Sequence, residues 1–230
     1  MRRILVAGAV LGLVAAVGVT APAQASPAHR PAPTAAVGLF HGVPNTPVDV
    51  YLDRTKIADD FQPGTFVGGL QASAGTHVVR ITAADATSWK HPIVKAELRF
   101  KGGKNYSVIA HLSARGKATV TKYTNDLSPV RAGTGRVTVR HVAAAPAIDV
   151  RADGHKVVSW LKNPREAVLK APIGTYRTVV SVAGSRKPVV PPVDLAVAKD
   201  ANTIVYAWGS AKDGTLQLTT RVLPTRVAQH

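Results

Sequence analysis

The chain repeats itself at a spacing of 100 residues: His41, Asp49, Val50, Asp53 and Lys56 recur as His141, Asp149, Val150, Asp153 and Lys156. A fixed period of that length means two tandem copies of one folding unit, so the fold is built twice, with about 90 residues for each core. The chain has no cysteine, so neither disulfides nor thiol chemistry support the copies. Each is held by its own core, and a stability on the order of 5–10 kcal/mol apiece is ordinary.

Within a copy the pattern is that of strands. Val37, Leu39 and His41 alternate with Gly38 and Phe40, as Val137, Val139 and His141 alternate with Thr138 and Arg140. Val48, Val50 and Leu52 alternate with Asp49, Tyr51 and Asp53, and Ile148, Val150 and Ala152 with Asp149, Arg151 and Asp153. Period 2 with β-branched residues on one register predicts half-buried strands. Asp153-Gly154 is a hairpin-turn dipeptide, and Asp53-Arg54 stands in its place in the first copy. Further runs (74–81, 93–100, 105–112 and 118–123; 173–182, 202–208 and 215–222) follow at turn-punctuated intervals, giving roughly seven strands per copy. The stretch from Trp160 to Leu169 is the least regular and is compatible with a helical turn. These patterns predict an all-β chain of two tandem antiparallel β-sandwiches of immunoglobulin-like type.

The ends and joints are read from composition. Arg2-Arg3, an apolar run from Ile4 to Val19 and Ala23-Gln24-Ala25 predict a signal peptide over 1–25, cleaved after Ala25. The apolar run is shorter than the roughly 20 residues of a membrane anchor, and no second long apolar run follows, so the mature chain is expected without a membrane span. Residues 26–36 are a Pro-rich leader, 37–126 the first repeat, 127–135 a linker, 136–223 the second repeat and 224–230 a tail. The expected location is extracellular or associated with the cell wall.

The run FHGVPNTPVDVYLD (40–53), its echo HVAAAPAIDVRADG (141–154), AGTHVVRI with IGTYRTVV, and NYSVIAHLS with NTIVYAWGS resemble the bacterial domain-of-unknown-function family 4397. The resemblance covers both copies. It implies exported, often tandem, β-rich domains of the kind frequent in actinobacteria, and it carries no assigned catalytic residues. The first copy departs from the family pattern in lacking the Asp-Gly turn, and the second in having Arg151 where an aromatic is common.

The repeated His41, Asp49, Asp53, His141, Asp149 and Asp153 are the residues that invite a chemical role. A His–Asp pair orients an imidazole for general-base work, which makes a hydrolase the remote alternative. Three features favour a structural role instead. The histidines share the core register of Leu39 and Val139 while Asp49 and Asp149 take the opposite one, no serine or cysteine nucleophile recurs beside them, and Asp53 and Asp153 sit at turns. A buried polar group of this kind is expected to bond loop backbone. The eight histidines show no metal-ligand spacing, and no acidic cluster resembles a calcium loop. Lys101-Gly102-Gly103-Lys104 joins strand to strand, not strand to helix, and so reads as a turn, not a phosphate loop. No catalytic, cofactor-binding or metal site is expected.

Charge is the remaining signal. The formal net charge of +16 falls to +14 without Arg2 and Arg3, with +4 on the first copy and +8 on the second with its tail. Such a field attracts polyanions; lysine and arginine also keep a β-protein soluble and blunt its edges. Aromatics are only 5% of the chain and do not interleave with basic residues, which argues against specific nucleic-acid binding. Core filling is expected for at least two of Trp89, Trp160 and Trp208. The expected function is that of a secreted, non-enzymatic binding or structural module of the envelope, holding an anionic wall polymer through a basic surface. The alternative is recognition of an extracellular protein.

Overall fold

The computed structural model of the chain describes residues 32–226. The expected signal peptide (1–25), most of the expected leader (26–36) and the end of the tail (227–230) lie outside the described residues. The first copy contains β1 (Thr34–Gly42), β2 (Val48–Leu52), β3 (Thr55–Phe61), β4 (Phe66–Ser73), β5 (Gly75–Ala83), β6 (Val94–Phe100), β7 (Asn105–Leu112) and β8 (Ala118–Thr124). The second contains β9 (Thr134–Ala144), β10 (Ile148–Ala152), β11 (His155–Leu161), β12 (Glu166–Pro172), β13 (Gly174–Val182), β14 (Val193–Val197), β15 (Ala201–Ser210) and β16 (Gln217–Pro224).

The two halves share one topology. Sheets β4-β1-β7-β8 and β3-β2-β5-β6 make the first sandwich, and β12-β9-β15-β16 and β11-β10-β13-β14 the second. Strand pairing is antiparallel except for one parallel pair in each copy, β1 with β7 and β9 with β15. Val37, Leu39, Val108 and Ala110 meet Val48, Val50, Val79 and Ile81 to form the first core. Val137, Val139, Val205 and Ala207 meet Ile148, Val150, Val180 and Val197 in the second. All lie on the register that the alternation assigns to the interior.

The opposite register of the inner sheets is not a solvent face. Phe40, Ile109 and Tyr123 of the first copy pack against Val142, Ile204, Tyr206 and Trp208 of the second, forming a third core between the sandwiches. The molecule is therefore four sheets deep. The rings of Phe40 and Tyr206 stack with centroids 4.6 Å apart, and Trp208 meets Phe40 edge-on at 5.9 Å.

Arg140, 1% exposed, lies in this interface. It donates from Nε to Glu166 (2.9 Å), from one terminal nitrogen to the Tyr206 hydroxyl (3.1 Å) and from the other to Asn125 Oδ1 (2.8 Å). Its guanidinium lies 4.4 Å from the centre of the Tyr123 ring. The Tyr123 hydroxyl donates to the Pro164 carbonyl across the interface (2.6 Å), and Asn163 Nδ2 donates to the carbonyl of Leu112 (2.8 Å). Below them, Arg136 donates to the Asp126 and Ser128 carbonyls and pairs with the Asp126 carboxylate at 3.0 Å. The joint between the copies thus combines an apolar ring cluster with buried, hydrogen-bonded polar side chains.

Local structure departs from the sequence reading in three places. Strand β1 begins at Thr34, inside the segment read as leader, because its pairing with β4 runs out to Thr34 opposite Ser73. Each copy has eight strands where roughly seven are expected: β3 and β4, their counterparts β11 and β12, and β14 of the second copy lie outside the runs named from the sequence. The stretch from Trp160 to Leu169 holds the end of β11, a turn and the start of β12, with no helix.

Candidate binding site on the second sandwich

His41 and His141 are fully buried and serve the fold. Nε2 of His41 donates to the Thr46 carbonyl at 2.7 Å, and Nε2 of His141 to the Pro146 carbonyl at 2.9 Å. A carbonyl only accepts, so the proton sits on Nε2 and each ring pins the loop that leads into the next strand. Burial lowers the pKa of both below the ordinary histidine range, which keeps the rings neutral. No hydrogen bond joins either histidine to the repeated aspartates among the described residues, so the His–Asp pair of a hydrolase is not assembled.

Asp49 and Asp149 are also fully buried, although they point away from the sandwich cores. What covers them is a bulge in the neighbouring strand. Pairing of β2 with β3 and of β10 with β11 slips opposite each aspartate, so two residues of the bulged strand face one of its partner. In the first copy, Asp49 Oδ1 accepts from the backbone N–H of Asp60 (3.0 Å), which sits in the left-handed region at φ 45°. In the second, Asp149 Oδ1 accepts from the N–H of Trp160 (2.9 Å), at φ 52°. Lys56 and Lys156 close the other carboxylate oxygen at 2.7 and 2.8 Å. The Gly184 N–H also reaches Asp149 Oδ2 (3.1 Å). The Lys156 ammonium, then the Trp160 N–H, hold the Asp149 pKa down at about 2.

Asp53 and Asp153 shape turns. Both have positive φ, and their Oδ1 atoms accept the backbone N–H of Val78 (2.9 Å) and Arg177 (2.8 Å) respectively. Asp53 also takes a bond from His77 at 2.8 Å. The six repeated residues are therefore distributed over three separate ties per copy, and none of them lines a shared cleft.

The same ties present a different residue in each copy. At the left-handed bulge position the first copy has Asp60, a type that tolerates the conformation, whereas the second has Trp160, a bulky residue for which it is an outlier. Trp160 is 62% exposed, the most exposed of the large hydrophobic side chains described. It shares a shallow groove with Lys162, Asn163, Pro164 and Arg165. The inner side of this bend is fixed by the Asn163 and Pro164 bonds to the first copy, so its outer side is a stiff platform: an indole held out by the backbone, with two exposed cations beside it. The first copy has Asp60, Gln62 and Thr65 at these positions, so the change is from acidic to basic and aromatic.

The tryptophans divide differently from the sequence expectation. Only Trp208 is buried, and it sits between the sandwiches. Trp89 is half-buried under Arg80, whose guanidinium lies 4.7 Å from its ring centre. Part of the second copy's basic excess is turned inward as Arg136 and Arg140, each ion-paired, leaving Lys162 and Arg165 among the outward cations. No group of three or more His, Cys, Asp or Glu able to hold a metal occurs among the described residues. Nor is any helix there long and apolar enough to cross a membrane.

The architecture defines a class: a paired all-β sandwich protein whose repeated polar residues are scaffold ties. The family model "Domain of unknown function (DUF4397)" matches residues 35–151, and the chain belongs to that family. The match spans the first sandwich and runs through β9 into β10. No curated protein matches the chain. Among solved structures, the Bacillus anthracis TIE protein is similar at 11% identity and a TM-score of 0.24, over 84% of this chain and 44% of that one. The chain thus spans less than half the length of that protein.

Proposed function

We propose that the chain is a secreted, non-enzymatic binding module of the cell envelope, made of two tandem copies of the family domain and holding an anionic, sugar-containing wall polymer on the Trp160 platform. The carrying observation is Trp160 itself: a large ring kept in solvent by a bonded left-handed backbone, on a groove it shares with Lys162 and Arg165. A flat indole offers a sugar ring an apolar surface with little ordering cost, and neighbouring cations draw in phosphate or carboxylate groups. The net positive charge speeds the encounter.

The test is sedimentation of the protein with purified, phosphate-rich cell walls across a salt series. Binding is expected to weaken as salt rises. W160A is expected to lose about tenfold in affinity with unchanged melting, because the ring touches little of the core, and K162E/R165E to lose the salt dependence. Wild-type protein that ignores walls at low salt, or W160A that binds as well as wild type, sinks the proposal. Salt-insensitive capture of a single extracellular protein would favour the protein-recognition alternative.

A further inference from the structure

The two sandwiches are not filled alike. In the first, Phe100 ends β6 opposite Gly75, and its ring packs on that of Tyr106 at 5.3 Å. Both are almost completely buried, and Leu52 packs against the same core. In the second sandwich the residue opposite the equivalent Gly174 is Val197. Thr203 lies across from Val137 where Tyr106 lies across from Val37. Ala152 pairs with Thr178 where Leu52 pairs with Val79. A phenylalanine, a tyrosine and a leucine have become valine, threonine and alanine.

The volume they would occupy is open. A cavity of about 210 Å³ lies between the second sandwich's two sheets, its walls including Val139, Val150, Val197, Val205, Leu169 and Ala152. It reaches the surface at Val157, which is 40% exposed, and at Pro172 and Tyr176. Ile173, next in sequence to Pro172, is 44% exposed. Lys170 contributes no charge to the interior, since β12 turns Ala167, Leu169 and Ala171 to the core and its alternate residues away. An apolar cavity of about 150 Å³ stays dry and takes up benzene, so this one has room for more.

We infer that the second sandwich binds a hydrocarbon chain, an unbranched alkyl or acyl group of roughly eight carbons inside the cavity, with its polar head left in solvent at the Val157–Pro172 mouth. The walls are mostly aliphatic, the Thr178 hydroxyl is spent on the Tyr176 carbonyl, and no buried charge is there to recognise a head group. The exposed Val157 offers apolar surface at the mouth to the part of a longer chain that emerges. This ligand is separate from the polymer of the Trp160 platform and depends on different residues.

Titration calorimetry of the mature protein with n-alkanols from butanol to tetradecanol tests the inference. Affinity is expected to rise about fourfold per added methylene, the equivalent of burying one such group, and to level off near eight carbons. A152L/V197F, which restores the first sandwich's filling, is expected to lose at least tenfold in octanol binding while its melting temperature rises. The single variant A152L gives the same readout should the double one not fold. Octanol is uncharged, so its binding is expected to be indifferent to salt, and a failure of wall binding leaves it standing. Absence of octanol binding, a flat chain-length series, or full binding by a folded A152L overturns the inference.

Discussion

Replacing Arg140 with alanine tests whether the sandwiches are one cooperative body. The substitution removes three charge-assisted hydrogen bonds and a cation–ring contact and strands the Glu166 carboxylate at a buried interface, while Asn125 and the Tyr206 hydroxyl keep their bonds to Ser107. Breaking a buried ion pair from one side costs about 3–5 kcal/mol. Glu166 is 30% exposed and regains water, so a loss of about 4 kcal/mol, near the middle of that range, is the appropriate figure. For a chain of this length each kilocalorie moves the melting temperature by about 2–4 °C, giving a drop of about 10 °C. The seven side chains of the third core contribute on the order of 10 kcal/mol, as much as a whole domain's stability. Wild-type protein is therefore expected to unfold in one calorimetric transition, with equal calorimetric and van't Hoff enthalpies. R140A should melt lower and over a broader range, while R140M/E166Q, which removes both charges and keeps the volume, should recover most of the loss. Two separate wild-type transitions, or a shift below about 2 °C in R140A, would refute the coupling.

Two further outcomes follow from the scaffold ties. Burial lowers the pKa of His41, of His141 and of His111, a third fully buried histidine on β7 that bonds the Leu112 carbonyl and the Thr121 hydroxyl, below the ordinary value, so the unfolded chain binds protons that the folded chain refuses. Their contribution is complete above about pH 6.5 and is lost as pH falls from there, by up to about 4 kcal/mol per pH unit for three such groups; urea midpoints at pH 7.5 and 5.5 should differ, and equal midpoints contradict it. For Asp149, with its pKa lowered to about 2, the stabilisation is present above its ordinary carboxylate value and lost as pH falls toward about 2. D149N should therefore melt below wild type at neutral pH and converge with it in acid, whereas a pH-independent gap would mean that the carboxylate charge is irrelevant.

What the sequence made legible was the interior of each sandwich. Val37, Leu39 and His41, with Val137, Val139 and His141, are all inside, as their alternation requires. The third core was missed because period 2 names two registers without saying what covers the second. A signal was present in Asn202–Trp208, where Ile204 and Tyr206 are as apolar as Val205 and Ala207; a strand with no polar register is buried on both faces. Strands β3 and β11 were obscured by their bulges, which put two outward residues in succession and break the alternation. The Trp160 platform needed the bulge as well, since only the backbone bond to Asp149 explains why that ring stays out. The cavity needed register, because Val197 reads as ordinary core until it is seen to stand where Phe100 does.

The parallel pairing of β1 with β7 imposes an order on assembly. Strand β1 lies between β4 and β7, so the inner sheet of the first sandwich closes only once the chain has been made through Leu112. The outer side of that sheet, with Phe40, Ile109 and Tyr123, then stays bare until Ile204, Tyr206 and Trp208 arrive on β15. Such long-range closures are slow, and throughout that interval the half-made molecule displays an apolar face whose only complement is in its own unfinished half or in that of a neighbouring chain. The connector between the copies thus decides more than spacing: by keeping the matching face on the same chain, it favours closure within one molecule over exchange between two.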